Sequence, residues 1–297
     1  MAALHPLGRR VNHDPRSRAY PFVAVSRALV SVRHQRQVPI FDQGNLGSCT
    51  GNAAVGAVGT DPLFASVPAA MQGHLDEAEA VKIYSVGTTL DNFPGSYPPT
   101  DTGCDGVSVA SACKKAGLIS GYTHCFSLAD TLAALQTTPV IIGINWYSGF
   151  DNPDSAGLVK VSGSVRGGHE VEVVGIDAVK QTVICANSWG TGYGAAGYFT
   201  MSWTDLGRLL GEQGDSTVLL PLTSPPTPPP PPSPPLVEQA STMAVIQGPS
   251  GAIYLAWGAG KRHIQTMAEV YELLRVCRQT AIIKVSQLVV NNFPGTN

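Results

Sequence analysis

The segment most informative about the fold is ANSWGTGYGAAGY, which spans residues 186–198. It continues a short apolar run that predicts a β-strand, and its closely spaced glycines indicate tight turns. The side chain of Asn187 can hold an imidazole ring in one orientation, and the indole of Trp189 can shield that hydrogen bond from water. The stretch therefore points to a histidine elsewhere in the chain.

Two further segments supply partners for Asn187. Residues 167–177, GGHEVEVVGID, predict a strand that is entered through two glycines and carries His169. Residues 42–50, DQGNLGSCT, precede a helical pattern, so Cys49 would lie at a helix N-terminus, where the helix dipole favours the thiolate. A lone cysteine is more often an ordinary buried residue than a nucleophile. The three segments in this chain order are much more specific than any one of them.

Taken together, the segments resemble the papain-like cysteine peptidases, family C1, in their bacterial and viral variant. The resemblance covers about residues 38–222 and includes the six-residue interval from Gln43 to Cys49. It implies an α+β, papain-like two-lobed fold, with a helical lobe and a β-barrel-like lobe. Three segments early in the domain predict helices and five runs after Pro139 predict strands, which favours the same class. The helical patterns follow Cys49 and lie at 78–86 and 107–116, and the β-rich runs lie at 140–146, 158–161, 169–176, 182–187 and 198–203.

The resemblance also implies a role for each matching residue. Cys49 would be the nucleophile and His169 its acid–base partner, with Asn187 fixing the imidazole. The side-chain amide of Gln43 and the N–H of Cys49 would form the oxyanion hole. The reaction would be acyl transfer through a thioester, with no metal or cofactor required.

Substrate-binding residues follow from the same resemblance. Trp189 would border the site, and the run from Asp101 to Gly106 resembles the glycine-rich wall of papain-like clefts, which makes Gly103 and Gly106 candidates. Glu170 would border the S2 pocket, which receives the second residue before the scissile bond, and would favour a basic group there. Alternatively, Glu170 and Glu172 simply form the solvated face of a strand.

The cysteines depart from the family pattern. Leu46 stands three residues before the nucleophile, where most members carry a disulfide cysteine, so that bridge cannot form. Five cysteines remain besides Cys49. One bridge among Cys104, Cys113 and Cys125 stays open, whereas Cys185 is expected to be buried and inert.

Composition excludes several classes. The 297 residues have a formal net charge of −2 and only 13% charged residues, which argues against a nucleic-acid partner. Because no apolar run approaches the ~18 residues of a spanning helix, we expect no membrane span. The first ten residues contain no apolar region, so we expect no signal peptide.

The sequence divides into four parts. A basic arm, residues 1–38, has seven arginines, which we expect to pair with the acidic body. The peptidase domain, 39–222, is followed by a proline-rich linker, 223–237, typical of an extended spacer. The tail, 238–297, is predicted to be a small, separate α+β binding module, with a hairpin at 244–257, a helix at 266–277 and a strand at 281–285.

These features predict a cysteine peptidase that its tail tethers to a target. The substrate would be a protein or peptide, for instance the cross-link peptides of peptidoglycan, and the tail would bind a cell envelope or a virion protein. We expect the protein outside the cell after lysis or on a phage particle, and otherwise in the bacterial cytoplasm. The alternative is a structural or adhesion component of a phage particle, for example in its tail, with secondary or lost peptidase activity.

Overall fold

A computed structural model of the chain describes residues 5–23, 28–222, 244–247, 253–257, 260–264 and 283–284. The chain divides into two compact units, Met1–Pro225 and Pro226–Asn297. The first unit contains the arm and both lobes, and the second contains the tail. Within the described ranges, no helix combines the length and the apolar character needed to cross a bilayer.

Helices form the first lobe. They are α1 (Cys49–Val58), α2 (Leu63–Ser66), α3 (Ala69–Gln72), α4 (Glu77–Leu90) and α5 (Gly106–Lys115). The carboxylates of Asp76 and Asp105 cap the first turns of α4 and α5. Every residue of α1 is buried, because α1 lies against α4, α5 and the sheet at once. Gly51 permits this packing, since a Cβ there would lie 2.2 Å from the carbonyl oxygen of Ala80.

A seven-stranded antiparallel sheet forms the second lobe. Its strands are β1 (Val32–Arg33), β2 (Gly121–His124), β3 (Val140–Tyr147), β4 (Val165–Asp177), β5 (Thr182–Ala186), β6 (Tyr198–Ser202) and β7 (Asp215–Leu220). They run in the order β2-β7-β3-β4-β5-β6, and β1 also pairs with β4. With the helices α6 (Leu128–Ala134) and α7 (Trp203–Gly211), the sheet encloses an apolar core separate from that of the helical lobe.

In the first unit, the predicted helices and most of the predicted strands are present. The exception is Leu158–Val161, where Leu158 makes only a single bridge to Thr200. The carboxylate of Asp154 accepts the N–H groups of Ala156 and Leu158, each at 2.9 Å, and so turns the chain before a strand can form. The sequence analysis did not identify β2, β7, α6 and α7.

The described part of the tail is a four-stranded sheet in the order β10-β9-β8-β11. Its strands are β8 (Ala244–Gln247), β9 (Ile253–Trp257), β10 (Gly260–Ile264) and β11 (Ile283–Lys284). The pair β8 and β9 is the predicted hairpin, β11 lies within the predicted last strand, and β10 was not predicted. The predicted linker and the predicted helix at 266–277 lie outside the described residues.

The arm belongs to the first unit and is bonded to both lobes. Its backbone makes single β-bridges at Arg9, Pro21 and Arg36. The expected pairing with the acidic body occurs at two buried positions, where Arg9 meets Asp215 and Arg36 meets Glu172. Arg16, by contrast, pairs within the arm itself.

None of the five cysteines that the structure describes forms a disulfide, and all five are buried. The bridge left open among Cys104, Cys113 and Cys125 is therefore not formed. Cys185 is buried in β5, as expected.

Candidate active site

Cys49 is the first residue of α1 and is fully buried. Backbone N–H groups of Gly8 and Glu170 face its sulfur, which places the thiol beside β4 and beneath the arm. Burial raises the pKa of the Cys49 thiol to about 12 and outweighs these N–H groups. With the arm in place, Cys49 is a thiol, not the thiolate that its helix position alone favours.

His169 and Asn187 form the second part of the site. His169 Nε2 donates to Asn187 Oδ1 at 2.7 Å, and that oxygen also accepts the N–H of Ser188 at 2.8 Å. Nδ1 of His169 has no hydrogen-bond partner among the described residues. Burial lowers the pKa of His169 to about 4, so the ring is neutral and its Nδ1 can accept a proton.

Indole rings enclose the imidazole of His169. Trp189 lies with its ring centroid 4.8 Å from that of His169, at an interplanar angle of 36°. Trp146 meets the same imidazole edge-on at 4.8 Å and 77°. The ring of His5, from the arm, stacks on Trp189 at 4.6 Å and 9°. These rings keep water from the His169–Asn187 hydrogen bond.

Gln43 is held next to Asn187 by hydrogen bonds to Ser188. Its N–H donates to the Ser188 carbonyl at 2.9 Å, and its Oε1 accepts from the Ser188 hydroxyl at 2.7 Å. The side-chain nitrogen then donates to two carbonyl oxygens, that of Leu46 at 2.8 Å and that of Pro6 at 3.3 Å. Of the amide that was predicted to stabilise an oxyanion, one donor is thus occupied by the arm and the other by Leu46.

The arm backbone runs through this cleft. Gly8 and Arg10 form hydrogen bonds with the backbone of Cys104. The N–H of Cys104 donates to the Gly8 carbonyl at 2.9 Å, and the N–H of Arg10 donates to the Cys104 carbonyl at 2.8 Å. Arg9 N–H donates to the carbonyl of Gly168 at 3.0 Å, directly before His169. The arm therefore uses backbone groups that an extended peptide would use.

Glycines allow the arm to approach so closely. A Cβ on Gly103 would lie 2.4 Å from the Gly8 carbonyl oxygen, and one on Gly168 would lie 2.4 Å from that of Arg9. A Cβ on Gly8 itself would lie 1.8 Å from the carbonyl oxygen of Gly47. Gly103 thus lies where the sequence analysis expected a glycine wall, against an extended backbone.

Glu170 and Glu172 are both buried, so the interpretation as a solvated strand face is wrong. Glu172 forms an ion pair with Arg36 and accepts the Thr60 hydroxyl at 2.6 Å, which gives it a structural role. Glu170 faces Gly106, where a Cβ would lie 2.7 Å from its Oε1. Gly106 therefore leaves space for this carboxylate, whereas the arm backbone contacts Gly103.

The sequence analysis missed three residues of the site: Trp146, Ser188 and Asp215. Ser188 could have been found, because it lies between Asn187 and Trp189. Trp146 was placed on a predicted strand, but nothing in its neighbourhood indicated a contact with His169. Asp215 carried no local signal, since it meets Arg9 only through the pairing of β7 with β3.

Comparison with known proteins gives a match to one family model. Residues 72–208 match the model of the papain family cysteine protease. This span contains His169 and Asn187 but begins after Gln43 and Cys49. An uncharacterized peptidase C1-like protein of Acanthamoeba polyphaga mimivirus is 26% identical over 201 residues, which is 55% of this chain and 64% of that relative's length.

Solved structures agree in fold. Xylellain, a cysteine protease from Xylella fastidiosa, superposes with a TM-score of 0.56 at 17% identity, over 73% of this chain and 96% of its own. The digestive procathepsin L 3 of the Tenebrio molitor larval midgut gives a TM-score of 0.51 at 19% identity, over 67% of this chain and 73% of its own. The predicted α+β, two-lobed fold is confirmed.

Proposed function

We propose that this chain, whose first unit is a papain-like cysteine peptidase domain, hydrolyses peptide bonds through a thioester formed on Cys49. One observation carries the proposal: the 2.7 Å hydrogen bond from His169 Nε2 to Asn187 Oδ1. It fixes the tautomer in which Nδ1 is the basic nitrogen, and Nδ1 has no hydrogen-bond partner in the described part of the chain. The ring is thereby ready to accept the thiol proton.

The reaction proceeds in two acyl transfers. Nδ1 of His169 takes the proton of Cys49, and the sulfur attacks the carbonyl carbon of the scissile bond. When the tetrahedral intermediate collapses, His169 gives this proton to the leaving amine, which departs and leaves a thioester. A water molecule then loses a proton to His169 and attacks the thioester, and the proton returns to the sulfur.

The oxyanion of each intermediate needs donors that are already in place. Gln43 Nε2 and the N–H of Cys49, at the start of α1, supply them. Gln43 is held for this role by its bonds to Ser188. In the resting state, however, one of its donors faces the carbonyl of Pro6.

The resting protein is therefore latent in this proposal. The arm covers the thiol, occupies Gln43 and stacks His5 on Trp189. A substrate can bind only after residues 5–10 leave the cleft. Their departure also admits water to Cys49 and His169, which removes the burial that keeps both groups neutral.

The test is covalent labelling of the full chain with an epoxide inhibitor of papain-like enzymes, read by intact mass. One adduct is expected on the wild type and on Cys185→Ala, a control at another buried cysteine, and none on Cys49→Ala. Because the arm covers the thiol, Gly8→Ala is labelled in parallel. A folded Gly8→Ala protein without an adduct would overturn the proposal.

We further propose that the tail tethers the peptidase to a cell envelope or a virion protein, with peptidoglycan peptides as one candidate substrate. The proline-rich segment and the separate tail unit support this, because attachment to an insoluble target raises the local enzyme concentration. Release after lysis or residence on a phage particle remains part of this proposal. Binding of the full chain to purified cell walls, compared with a chain ending at residue 225, tests it.

The alternative is a structural or adhesion role in a phage particle. The presence of all four residues, Gln43, Cys49, His169 and Asn187, favours the active enzyme. Cys49→Ala separates the two, since it abolishes the function of a peptidase and leaves that of a structural protein unchanged.

A further inference from the structure

On the basis of the proposed peptidase activity, we propose that Glu170 and Asp215 form a pocket that binds a cationic substrate side chain. Arginine, lysine or the amine of a diamino acid would fit this chemistry. Arg9 of the arm is the internal ligand that fills the pocket in the resting protein. The sequence analysis identified Glu170 alone; the second carboxylate and the bound guanidinium come from the tertiary structure.

The pocket is a gap in a row of side chains across three neighbouring strands. Gly143 of β3 pairs with Glu170 of β4 on one side and with Asp215 of β7 on the other. Residues paired in this way project from the same face of a sheet. Because the central residue has no side chain, a hole remains between the two carboxylates.

The arginine of the arm fills this hole. A Cβ on Gly143 would lie 2.5 Å from Arg9 Nε, 2.6 Å from Asp215 Oδ2 and 2.7 Å from Glu170 Oε2. The Arg9 side chain is fully buried, forms an ion pair with Asp215 and donates to the Gln213 carbonyl at 2.7 Å. A fully buried arginine needs such partners, and the Asp215 carboxylate and the Gln213 carbonyl supply two of them.

The pocket has more acceptors than Arg9 uses. Both oxygens of Glu170 and the second oxygen of Asp215 are buried without a hydrogen-bond partner among the described residues. Two donors of Arg9, Nε and Nη1, are also unused. A neutral side chain in this position would leave still more carboxylate oxygens unsatisfied, which is costly in a buried site.

The electrostatics of Glu170 and Asp215 also favour a cation in this pocket. Burial, and next the charge of Asp215, hold the pKa of Glu170 well above its usual value, whereas Arg9 lowers it. Burial and the Asp215 charge thus disfavour ionised Glu170, and a cation placed between the two groups, as Arg9 is, favours the ionised form. Asp215 keeps 19% of its side chain exposed and lines a neighbouring cavity of about 330 Å³ beside the arm.

The rival explanation is that this pocket serves only to anchor the arm. The first experiment separates the two with active-site-directed peptide probes that differ in one residue. The second residue before the reactive group of the probe, which would enter the S2 pocket, is arginine, its neutral isostere citrulline, or leucine. Labelling rates are measured on the full chain carrying Arg9→Ala. We expect the arginine probe to react roughly 30-fold or more faster than the citrulline probe. Equal rates would overturn the proposal while leaving the peptidase function intact.

Charge variants identify the carboxylates. Asp215→Asn and Glu170→Gln, each combined with Arg9→Ala, should reduce the arginine-to-citrulline ratio of labelling rates. Glu79→Gln, which removes a carboxylate that pairs with Lys82 at the surface, is the matched control and should leave the ratio unchanged. An unchanged ratio in both pocket variants would exclude these carboxylates as the cause.

A second measurement does not depend on catalysis. Arg9→Ala leaves a space for a guanidinium group, so millimolar ethylguanidinium should raise the Tm of this variant in a saturable way. Ethylurea, its neutral analogue, should not, and neither compound should stabilise the wild type, where Arg9 fills the pocket. No difference between the two compounds would overturn the cation pocket, even if Cys49 proved inert and the peptidase proposal failed.

Discussion

The carbonyl oxygen of Pro6 accepts a hydrogen bond from Gln43 Nε2 at 3.3 Å. Residue 6 of the arm thus occupies a donor that the proposed reaction needs for the oxyanion. A peptide bond of a substrate would place its own oxygen near this amide, so arm and substrate compete for the same group. In the proposed mechanism, the free energy of arm binding relative to that of substrate binding sets the fraction of active protein.

Gly8→Ala should release the arm. A Cβ at this position would lie 1.8 Å from the Gly47 carbonyl oxygen, which is backbone and cannot move aside cheaply. Since overpacking of this kind costs typically 1–3 kcal/mol, the rate of Cys49 labelling should rise about 5- to 150-fold. Gly73→Ala is the control, because nothing lies within 4 Å of a Cβ there. Equal labelling of both variants would show that the arm does not limit access.

Gln43→Ala should reduce turnover. Loss of one oxyanion donor lowers kcat by about 10²- to 10³-fold, with a smaller effect on KM. The comparison is made in the Gly8→Ala background, so that loss of the Pro6 bond does not change access at the same time. Gln35→Ala, at an exposed side chain, should leave kcat unchanged. A loss confined to KM would assign Gln43 to substrate binding and not to the transition state.

Stability should fall in acid because of His169. Burial lowers its pKa from 6.5 to about 4, so the unfolded chain binds this proton more tightly than the folded protein. The contribution of His169 is present above pH 6.5 and is lost as the pH falls towards 4, to a limit of roughly 3 kcal/mol. Glu170 and Glu172 act in the opposite direction, because burial raises the pKa of each.

Comparison of variants isolates the histidine. Between pH 7 and pH 5, urea unfolding of His169→Gln should lose less stability than that of the wild type, since the carboxylates remain in both. His74→Gln, at an exposed side chain, should follow the wild type. Parallel pH profiles for the wild type and His169→Gln would contradict the burial of a neutral imidazole.

The ion pair between Arg36 and Glu172 should be important for folding. Both side chains are buried, with 5% and 1% exposed, and Thr60 adds a hydrogen bond to the carboxylate. Arg36→Met leaves an uncompensated buried carboxylate and should lower the free energy of unfolding by about 3–5 kcal/mol. Adding Glu172→Leu should recover much of this loss.

The exposed pair in the arm provides the contrast. Arg16 pairs with Asp14, but 83% of the arginine side chain is exposed. Arg16→Met should therefore leave the urea midpoint unchanged within error, since solvent screens such pairs. A comparable loss in Arg16→Met and Arg36→Met would mean that charge, and not burial, determines the effect.

Much of the fold and of the catalytic group could be predicted from the sequence. The helix at Cys49, the strand at His169 and the turn after Asn187 follow from patterns within a few residues. The run at 158–161 failed as a strand because the Asp154 carboxylate holds the N–H groups of Ala156 and Leu158 at its start. The short α6 and β2 carried too few periodic positions to be recognised.

The candidate catalytic residues could be named from the sequence alone, because Gln43, Cys49, His169 and Asn187 lie in short motifs with a recognisable chain order. The groups that surround these residues are known only from the tertiary structure. Because β4 and β7 both pair with β3 at Gly143, Glu170 and Asp215 lie on either side of this glycine. Arg9, which precedes Asp215 by 206 residues in the sequence, lies between the two carboxylates. Burial beneath that arm then decides the protonation of Cys49 and His169. Burial and strand register depend on contacts between distant segments, so local residue patterns do not predict them.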